Sequence, residues 1–170
     1  KSRAEFEKFI KEQKTFDSHY TGCKNLAEIF LKKKIKAFIQ MGSSVEYGSL
    51  KSPQKEDGKC NPNSIYGKAK LSATKYLINL FYKKNFPSVV LRLYLAYGPK
   101  QDFNRFIPII ILGCKSNKKF PCSKGNQLRD FIHIDDVVDI IIKSILNKNT
   151  KGQIMNIGSG REALGLIQFK

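Results

Sequence analysis

Apolar and polar positions follow two different periods along the chain, and these divide its first hundred residues into helices and strands. Apolar residues three and four apart predict helices, and short continuous apolar runs predict buried strands. Because continuous apolar strands are typical of covered parallel sheets, the order helix, strand, helix, strand predicts right-handed βαβ units in a layered α/β fold. The predicted elements are a helix over 1–33 with a break near Thr15 to Ser18, a strand over 35–41, a helix over 64–84 and a strand over 89–95.

The pattern changes after Pro99, where the predicted elements become shorter. We therefore expect two parts, 1–100 and 101–170, with the second interleaved with the sheet. Asp135 and Asp136 are expected to cap a helix, because carboxylates are favourable at a helix N-terminus. The elements predicted for the second part are a helix over 103–114, an edge strand over 119–122, the segment 128–134, a helix over 135–147 and a strand over 153–157.

The chain is strongly basic, with 31 Lys and Arg against 14 Asp and Glu in 170 residues and a formal net charge of +17. Such a charge can mark binding to nucleic acid or to a membrane surface. Here the lysines are spread along the chain and outnumber the arginines, which make the bidentate contacts to bases and phosphates. We therefore expect no nucleic-acid partner and interpret the charge as a compositional bias that also suits an anionic ligand. A non-catalytic basic module that binds nucleic acid or anions is the alternative.

Neither a membrane span nor a metal site is expected. The most apolar run, Phe106 to Leu112, is too short to cross a bilayer and contains Pro108. The four cysteines form no Cys-x-x-Cys pair and the chain has two histidines, so we expect no metal and a reduced, cytoplasmic setting. His133 lies near three acids, which we interpret as capping and exposed residues of a helix rather than as metal ligands.

Tyr66 and Lys70 are the candidate chemical pair. Residues four apart lie on one face of a helix, so the phenol and the ammonium can converge on one small site. A positive charge beside a phenol favours the phenolate, which makes the pair suitable for moving a proton. The spacing alone also fits a solvated tyrosine near a surface lysine. Two other pairs share it, Tyr20 with Lys24 and Tyr47 with Lys51.

Position in the predicted fold distinguishes Tyr66 and Lys70 from these other pairs. Ser43 and Ser44 end the first predicted strand, the Tyr66 pair begins the next helix, and residues 94–98 end the next strand. Ligands of open α/β sheets bind at the carboxyl ends of strands, so we expect these groups at one rim of the sheet. A hydroxyl, a phenol and an ammonium can together bind an alcohol or carbonyl oxygen and move its proton. This chemistry accompanies hydride transfer to or from a nicotinamide.

Four motifs in this order resemble the extended short-chain dehydrogenase/reductases, specifically the NAD-dependent nucleotide-sugar epimerase/dehydratase family. The motifs are Gly42-Ser43-Ser44-Val45-Glu46-Tyr47-Gly48, Tyr66-x-x-x-Lys70, Leu91-Arg92 to Tyr97-Gly98-Pro99, and Arg129-Asp130-Phe131-Ile132-His133-Ile134-Asp135-Asp136-Val137. The resemblance implies a partial Rossmann-like parallel sheet with helices and a smaller C-terminal α/β substrate-binding region. It assigns 1–100 to the C-terminal part of a cofactor domain that carries the catalytic motifs, and 101–170 to nucleotide-sugar binding.

The resemblance also implies a role for each site residue. Tyr66 would be the general acid/base, Lys70 would hold the nicotinamide ribose and favour the ionised tyrosine, and Ser43 would position the reacting sugar oxygen. The other implied residues are Met41 and Gly42, which with Tyr66 and Lys70 would contact NAD or NADP; Ser44, the neighbouring alternative to Ser43; and Asn104, Arg105 and Arg129, which would grip the nucleotide diphosphate. By itself, Arg129 would also fit a surface ion pair with Asp130 or Asp135. The implied partner is a nucleotide-sugar, and the full-length form is expected to be a homodimer.

Several departures from the family pattern limit what is expected. The Gly-rich dinucleotide fingerprint is absent, and Gly158-x-Gly160 lies too late to replace it. We therefore expect the middle and C-terminal part of such an enzyme, a fragment that is inactive and binds NAD poorly by itself. His19 stands where the family often has an asparagine, and Leu95 replaces another. Ser44 and Val45 stand where the dehydratases carry an acid pair, so dehydration is disfavoured and a 4-epimerase or a 4-keto reductase remains.

Overall fold

The computed structural model describes residues 2–117, 128–160 and 163–164. These residues form two compact units. The first contains the chain up to Leu93 together with Ile140–Ile157, and the second contains Tyr94–Asp139 together with the described residues from Gly158 onward. The predicted edge strand over 119–122 lies outside the described residues.

The first unit contains the parallel sheet that the sequence predicts. Its strands lie in the order β1 (Phe38–Ser43), β2 (Ser88–Leu93) and β6 (Ile154–Ile157), and both pairings are parallel. The central strand β2 is buried along all but its last residue, which explains its continuous apolar sequence. The elements of this unit are α1 (Arg3–Phe16), a π-helical turn (Asp17–Thr21), α2 (Gly22–Leu31), β1 (Phe38–Ser43), a 3₁₀ turn (Ser44–Tyr47), α3 (Ile65–Lys84), β2 (Ser88–Leu93), the later part of α5 and β6 (Ile154–Ile157).

Helix α3 packs on the sheet with the face that the sequence predicts. Ser64 caps the helix by accepting a hydrogen bond from the Gly67 backbone, and Asn85 ends it in the left-handed conformation. The residues of α3 in the main hydrophobic cluster are Ala73, Leu77 and Leu80, and they meet Cys23, Ala27, Phe86 and Val90 there. Helical spacing also predicts Ile65, Ala69 and Tyr76 toward the core. Ala69 is fully buried, whereas Ile65 and Tyr76 are half-buried.

The predicted break near Thr15 to Ser18 is wrong. The chain stays helical from Arg3 to Leu31, but Asp17–Thr21 form a π-helical turn, in which the Gly22 backbone N–H donates to the Asp17 carbonyl. The Asp17 carboxylate holds this turn, because it accepts hydrogen bonds from Gln13 Nε2 and Thr21 Oγ1, both at 3.0 Å. Polar residues that suggest a break by composition therefore stabilise a wider turn.

The second unit contains shorter elements, as the sequence predicts, although their boundaries differ. The helix expected from residue 103 begins at Phe106, because residues 102–105 form a turn in which the Arg105 N–H donates to the Asp102 carbonyl at 3.0 Å. The segment 128–134 divides into two strands and the start of a helix. The elements are β3 (Leu95–Tyr97), α4 (Phe106–Ser116), β4 (Leu128–Arg129), β5 (Phe131–His133), the start of α5 (Ile134–Leu146) and β7 (Ala163–Leu164); β3 pairs parallel with β5, and β4 pairs antiparallel with β7.

Gly152 fixes the approach of the chain to β6 and requires both a left-handed backbone and open space. Its φ is 75°, and a Cβ at this position would lie 2.2 Å from the Phe81 ring. Gly160 also has a positive φ, 68°, but among the described residues nothing lies within 4 Å of its Cβ position. A comparison of the two glycines therefore separates the cost of the left-handed backbone from the cost of steric overlap with Phe81.

We expect Gly160→Ala to lower the free energy of unfolding by about 1–2 kcal/mol, the cost of placing a non-glycine residue in the left-handed region. Gly152→Ala should cost clearly more, because Phe81 must also move. Urea unfolding of the two variants measures the difference. Equal losses would show that the Phe81 contact does not constrain this turn.

Candidate active site

Ser43 lies at the carboxyl end of β1, where the strand passes directly into the 3₁₀ turn Ser44–Tyr47. Its backbone N–H donates to Glu46 Oε1 at 2.9 Å, and its hydroxyl oxygen accepts from the Val45 N–H at 3.4 Å. The Glu46 carboxylate approaches the strand closely, since a Cβ on Gly42 would lie 2.7 Å from Glu46 Oε1. The Glu46 carboxylate therefore fixes the strand end that carries Ser43.

Glu46 is fully buried, and its charge is compensated by Arg92 of β2. Arg92 Nε donates to Glu46 Oε2 at 3.0 Å, and the Thr74 hydroxyl of α3 donates to the same oxygen at 2.9 Å. The Arg92 guanidinium also lies 4.5 Å from the centre of the Tyr47 ring. This buried pair thus joins β1, β2 and α3 beneath the end of β1.

The same network fastens the loop that follows Gly48 to the end of β6. Tyr47 donates its hydroxyl proton to Asn156 Oδ1 at 2.7 Å, and Asn156 Nδ2 donates to the Gln54 carbonyl at 2.8 Å. The Asn156 backbone N–H donates to the Glu56 carboxylate at 2.8 Å, and Arg92 Nη1 donates to the Glu56 carbonyl at 3.2 Å. Tyr47, which forms one of the other Tyr-x-x-x-Lys pairs with Lys51, therefore has a structural contact with Asn156.

Tyr66 and Lys70 lie on the first turns of α3 and are brought together as the sequence predicts. Lys70 Nζ lies 5.7 Å from the centre of the Tyr66 ring and donates a hydrogen bond of 2.8 Å to the Met41 carbonyl of β1. Met41, which accepts this bond, precedes Gly42 and Ser43 on the strand, so the ammonium lies near the carboxyl end of β1. The structure therefore brings the Tyr66–Lys70 pair to the end of β1.

Burial lowers the pKa of Lys70, and the negative charge of Glu46 offsets this only in part. The desolvated ammonium is therefore less favourable in the folded protein than in water, although the Met41 carbonyl accepts one of its protons. A half-buried lysine with a free donor capacity can bind a ligand hydroxyl, because its ammonium carries three protons.

His19 is the residue that sequence reasoning noted as a departure without giving it a place in the site. Its ring is nearly perpendicular to the Tyr66 ring, with centroids 4.8 Å apart and planes at 82°. Burial and the charge of Lys70 lower the pKa of His19, which favours the neutral imidazole. His19 lies within the π-helical turn, where α-helical spacing does not predict which side chains face α3.

The three residues expected at the nucleotide diphosphate belong to the second unit. Asn104 and Arg105 lie in the turn before α4, and Arg129 lies in β4 opposite Ala163; all three are exposed. The alternative pairing of Arg129 with Asp130 is not favoured. The Asp130 carboxylate accepts instead from the Ser159 N–H and hydroxyl, both at 2.7 Å, and from the Gly160 N–H at 3.2 Å.

His133 and the neighbouring acids show no metal-binding arrangement. His133 Nδ1 lies 3.4 Å from an Asp135 carboxylate oxygen and accepts from the Asp135 N–H at 3.3 Å. Within residues 2–117, 128–160 and 163–164, no three His, Cys, Asp or Glu side chains are grouped so that they could hold a metal ion. None of the helices in this described part is long and apolar enough to cross a membrane.

Comparison with known proteins identifies the family. Residues 5–158 match the model of the NAD dependent epimerase/dehydratase family. The chain is 34% identical over 152 residues to ADP-L-glycero-D-manno-heptose-6-epimerase of Brachyspira hyodysenteriae, covering 84% of this chain and 47% of the relative. It is 30% identical over 139 residues to human dTDP-D-glucose 4,6-dehydratase, covering 80% of this chain and 39% of the relative.

A solved structure agrees with this result. UDP-glucuronic acid 4-epimerase of Bacillus cereus, in complex with UDP-glucuronic acid and NAD, superimposes with a TM-score of 0.79 at 29% identity over 87% of this chain and 48% of that one. The α/β fold is therefore of the Rossmann type, and the chain belongs to the NAD-dependent epimerase/dehydratase family. It spans about half the length, or less, of these relatives.

We expect Glu46→Ala to lower the free energy of unfolding by about 3–5 kcal/mol, because it leaves the buried Arg92 charge uncompensated. As a control, Arg3→Ala breaks the exposed Arg3–Glu7 pair and should cost at most about 1 kcal/mol. Urea unfolding measures both values. Similar small losses in the two variants would contradict the role of the buried pair.

Lys70 is expected to carry a stability cost. Because its pKa in the folded protein lies below the usual 10.5, its contribution to the free energy of unfolding increases as the pH rises through the folded-state pKa. At neutral pH, Lys70→Met should therefore raise Tm. Lys68→Met, at an exposed position two residues away on the same helix, should leave Tm unchanged. A lower Tm for Lys70→Met than for Lys68→Met would refute this expectation.

Proposed function

We propose that this chain carries the reacting groups of a nucleotide-sugar epimerase or 4-keto reductase that works at the sugar C4 carbon with NAD or NADP. The observation that carries the proposal is the arrangement at the end of β1. There Lys70, held by the Met41 carbonyl at 2.8 Å, lies beside the Tyr66 ring on the helix that follows Ser43. A phenol, an ammonium and a hydroxyl in this order suit proton transfer at an alcohol or ketone oxygen.

In this proposal the Tyr66 phenol takes the proton from the C4 hydroxyl when the sugar is oxidised and returns it when the ketone is reduced. Lys70 stabilises the negative charge that forms on the phenol oxygen, because a neighbouring positive charge favours the ionised form. Ser43 donates its hydroxyl proton to the sugar oxygen and holds it near Tyr66. The backbone of Ser43 is already fixed by Glu46, so its hydroxyl enters the reaction from a defined position.

The residues present fit the nicotinamide half of the cofactor. The half-buried Lys70 ammonium retains donors for ribose hydroxyls, and the carbonyl that it binds belongs to Met41, next to Gly42 at the end of the strand. When bound, the nicotinamide supplies the hydride acceptor and donor for C4. Support for NAD comes from the family and from the B. cereus relative, which was crystallised with NAD.

Asn104, Arg105 and Arg129 are proposed to bind the nucleotide diphosphate. They are exposed in the second unit, and guanidinium groups match the geometry of phosphate oxygens. The high net positive charge, +17, favours an anionic substrate of this kind. A homodimer and a cytoplasmic location remain predictions from the resemblance and from the scattered cysteines.

Dehydration is disfavoured by the state of the acid nearest to Ser43. The relatives include both epimerases and dehydratases, so their names do not decide between the reactions. In this chain Ser44 and Val45 follow Ser43, and neither can act as an acid or base at neutral pH. Glu46 comes next, but it is fully buried and bound to Arg92, Thr74 and the Ser43 backbone. Elimination of water requires a free acid or base that this turn lacks.

The test is Tyr66→Phe in the natural protein, assayed with NAD and a panel of UDP-, dTDP- and ADP-linked sugars. We expect kcat to fall by about 10²–10⁴-fold, the usual contribution of a general acid/base, while the affinity for the sugar nucleotide stays within about threefold. Tyr82→Phe on the same helix is the matched control, because Tyr82 is 73% exposed and lies at the far end of α3. Turnover within about tenfold of the wild type in Tyr66→Phe would refute the assignment. Binding to nucleic acid with a steep salt dependence and no turnover would favour the basic module instead.

A further inference from the structure

The π-helical turn Asp17–Thr21 is the least regular part of the helical run that precedes β1. In it the Gly22 N–H donates to the Asp17 carbonyl five residues earlier, and the Asp17 side chain accepts hydrogen bonds from Gln13 and Thr21. Such turns are rare in proteins and are frequent at functional sites. The turn has its own side-chain support, so it is a built feature of this helix.

The wider turn changes which residue faces α3. An α-helix advances about 100° per residue, and the additional residue of a π turn shifts the following side chains by about this angle. Beyond the turn, Cys23 and Ala27 are buried in the main hydrophobic cluster. The turn therefore accommodates His19 against α3 while α2 keeps its core contacts.

The His19 imidazole packs on the candidate general acid/base. Its ring is perpendicular to that of Tyr66, at 82°, and the centroid distance of 4.8 Å lies in the range that edge-to-face aromatic pairs prefer. Lys70 Nζ lies 5.7 Å from the same Tyr66 centroid. The His19 ring and the Lys70 ammonium are thus both close to the Tyr66 ring, and each restricts the orientation of the Tyr66 side chain.

The charge state of the imidazole suits this packing. Burial lowers the pKa of His19, and the Lys70 ammonium lowers it further, so the neutral ring is favoured near neutral pH. A neutral ring avoids a second positive charge beside Lys70 and can rest against Tyr66 without being drawn toward solvent.

We infer that His19 is a positioning residue for Tyr66: its ring, which lies in the π-helical turn and packs perpendicular to the phenol ring, holds Tyr66 in the orientation needed for proton transfer. The inference rests on the proposed function, because it assumes that Tyr66 transfers the proton. It assigns the effect to the shape of the ring and not to proton transfer by its nitrogens. Replacement by another aromatic ring should therefore preserve the effect, and removal of the ring should abolish it.

The experiment compares three substitutions in the natural protein: His19→Phe, which keeps a ring edge, and His19→Leu and His19→Ala, which do not. We expect kcat of the Leu and Ala variants to fall about tenfold, since small misplacements of reacting groups are costly, with KM within about twofold of the wild type. His19→Phe should retain at least about a third of the wild-type kcat, because the edge-to-face contact remains. If the Ala variant does not fold, the Leu variant, which fills the space, decides the comparison.

His133→Ala is the matched control. The His133 ring makes the same type of contact with Tyr97 in the second unit, at 5.3 Å and 77°, so its loss tests whether any histidine–tyrosine contact affects turnover. It should leave kcat unchanged. Equal kcat in His19→Leu and the wild type would overturn the inference, as would a His19→Phe variant as slow as His19→Leu. Failure of the proposed function is seen separately, because then Tyr66→Phe itself retains turnover.

Discussion

The buried pair of Glu46 and Arg92 is the interaction on which the first unit depends. A carboxylate and a guanidinium removed from water are tolerated only when they neutralise each other and when their hydrogen bonds are satisfied. Here Ser43, Thr74 and Tyr47 complete the requirement, so one pair draws together the end of β1, the middle of α3 and β2. The buried Glu46 side chain therefore fixes the position of Ser43.

The periodicity of the sequence was sufficient for the layered fold and for the catalytic helix. Continuous apolar runs predicted β1 and β2 to within three residues of their observed bounds, and helical spacing predicted α3 to within one residue. The contact of Lys70 with the end of β1 also followed, since parallel strands and the helices between them have a known geometry. These features depend on residues that are close in sequence or on rules of chain topology.

Other features depend on side chains that sequence patterns do not connect. Glu46 and Arg92 are separated by 46 residues, and in the sequence each by itself would be interpreted as an ordinary exposed charge. The π-helical turn arises because Asp17 binds Gln13 and Thr21, whereas the same polar residues suggest a helix end. The resemblance placed His19 where the family often has an asparagine and left that fourth catalytic role in doubt, but no sequence pattern predicts its contact with Tyr66. The motif resemblance assigned Glu46 no role, and its function as a support became visible only through its burial.

The distribution of the proposed roles between two units has a consequence for substitutions. Of the groups proposed to handle the proton, Ser43 and Lys70 are held by hydrogen bonds within the first unit, to Glu46 and to the Met41 carbonyl. The groups proposed to meet the nucleotide, such as Arg105 and Arg129, are exposed and bear little of the packing. Substitutions among these exposed groups can therefore change the proposed nucleotide contacts at a small cost in stability, whereas substitutions around Ser43 would disturb a buried hydrogen-bond network.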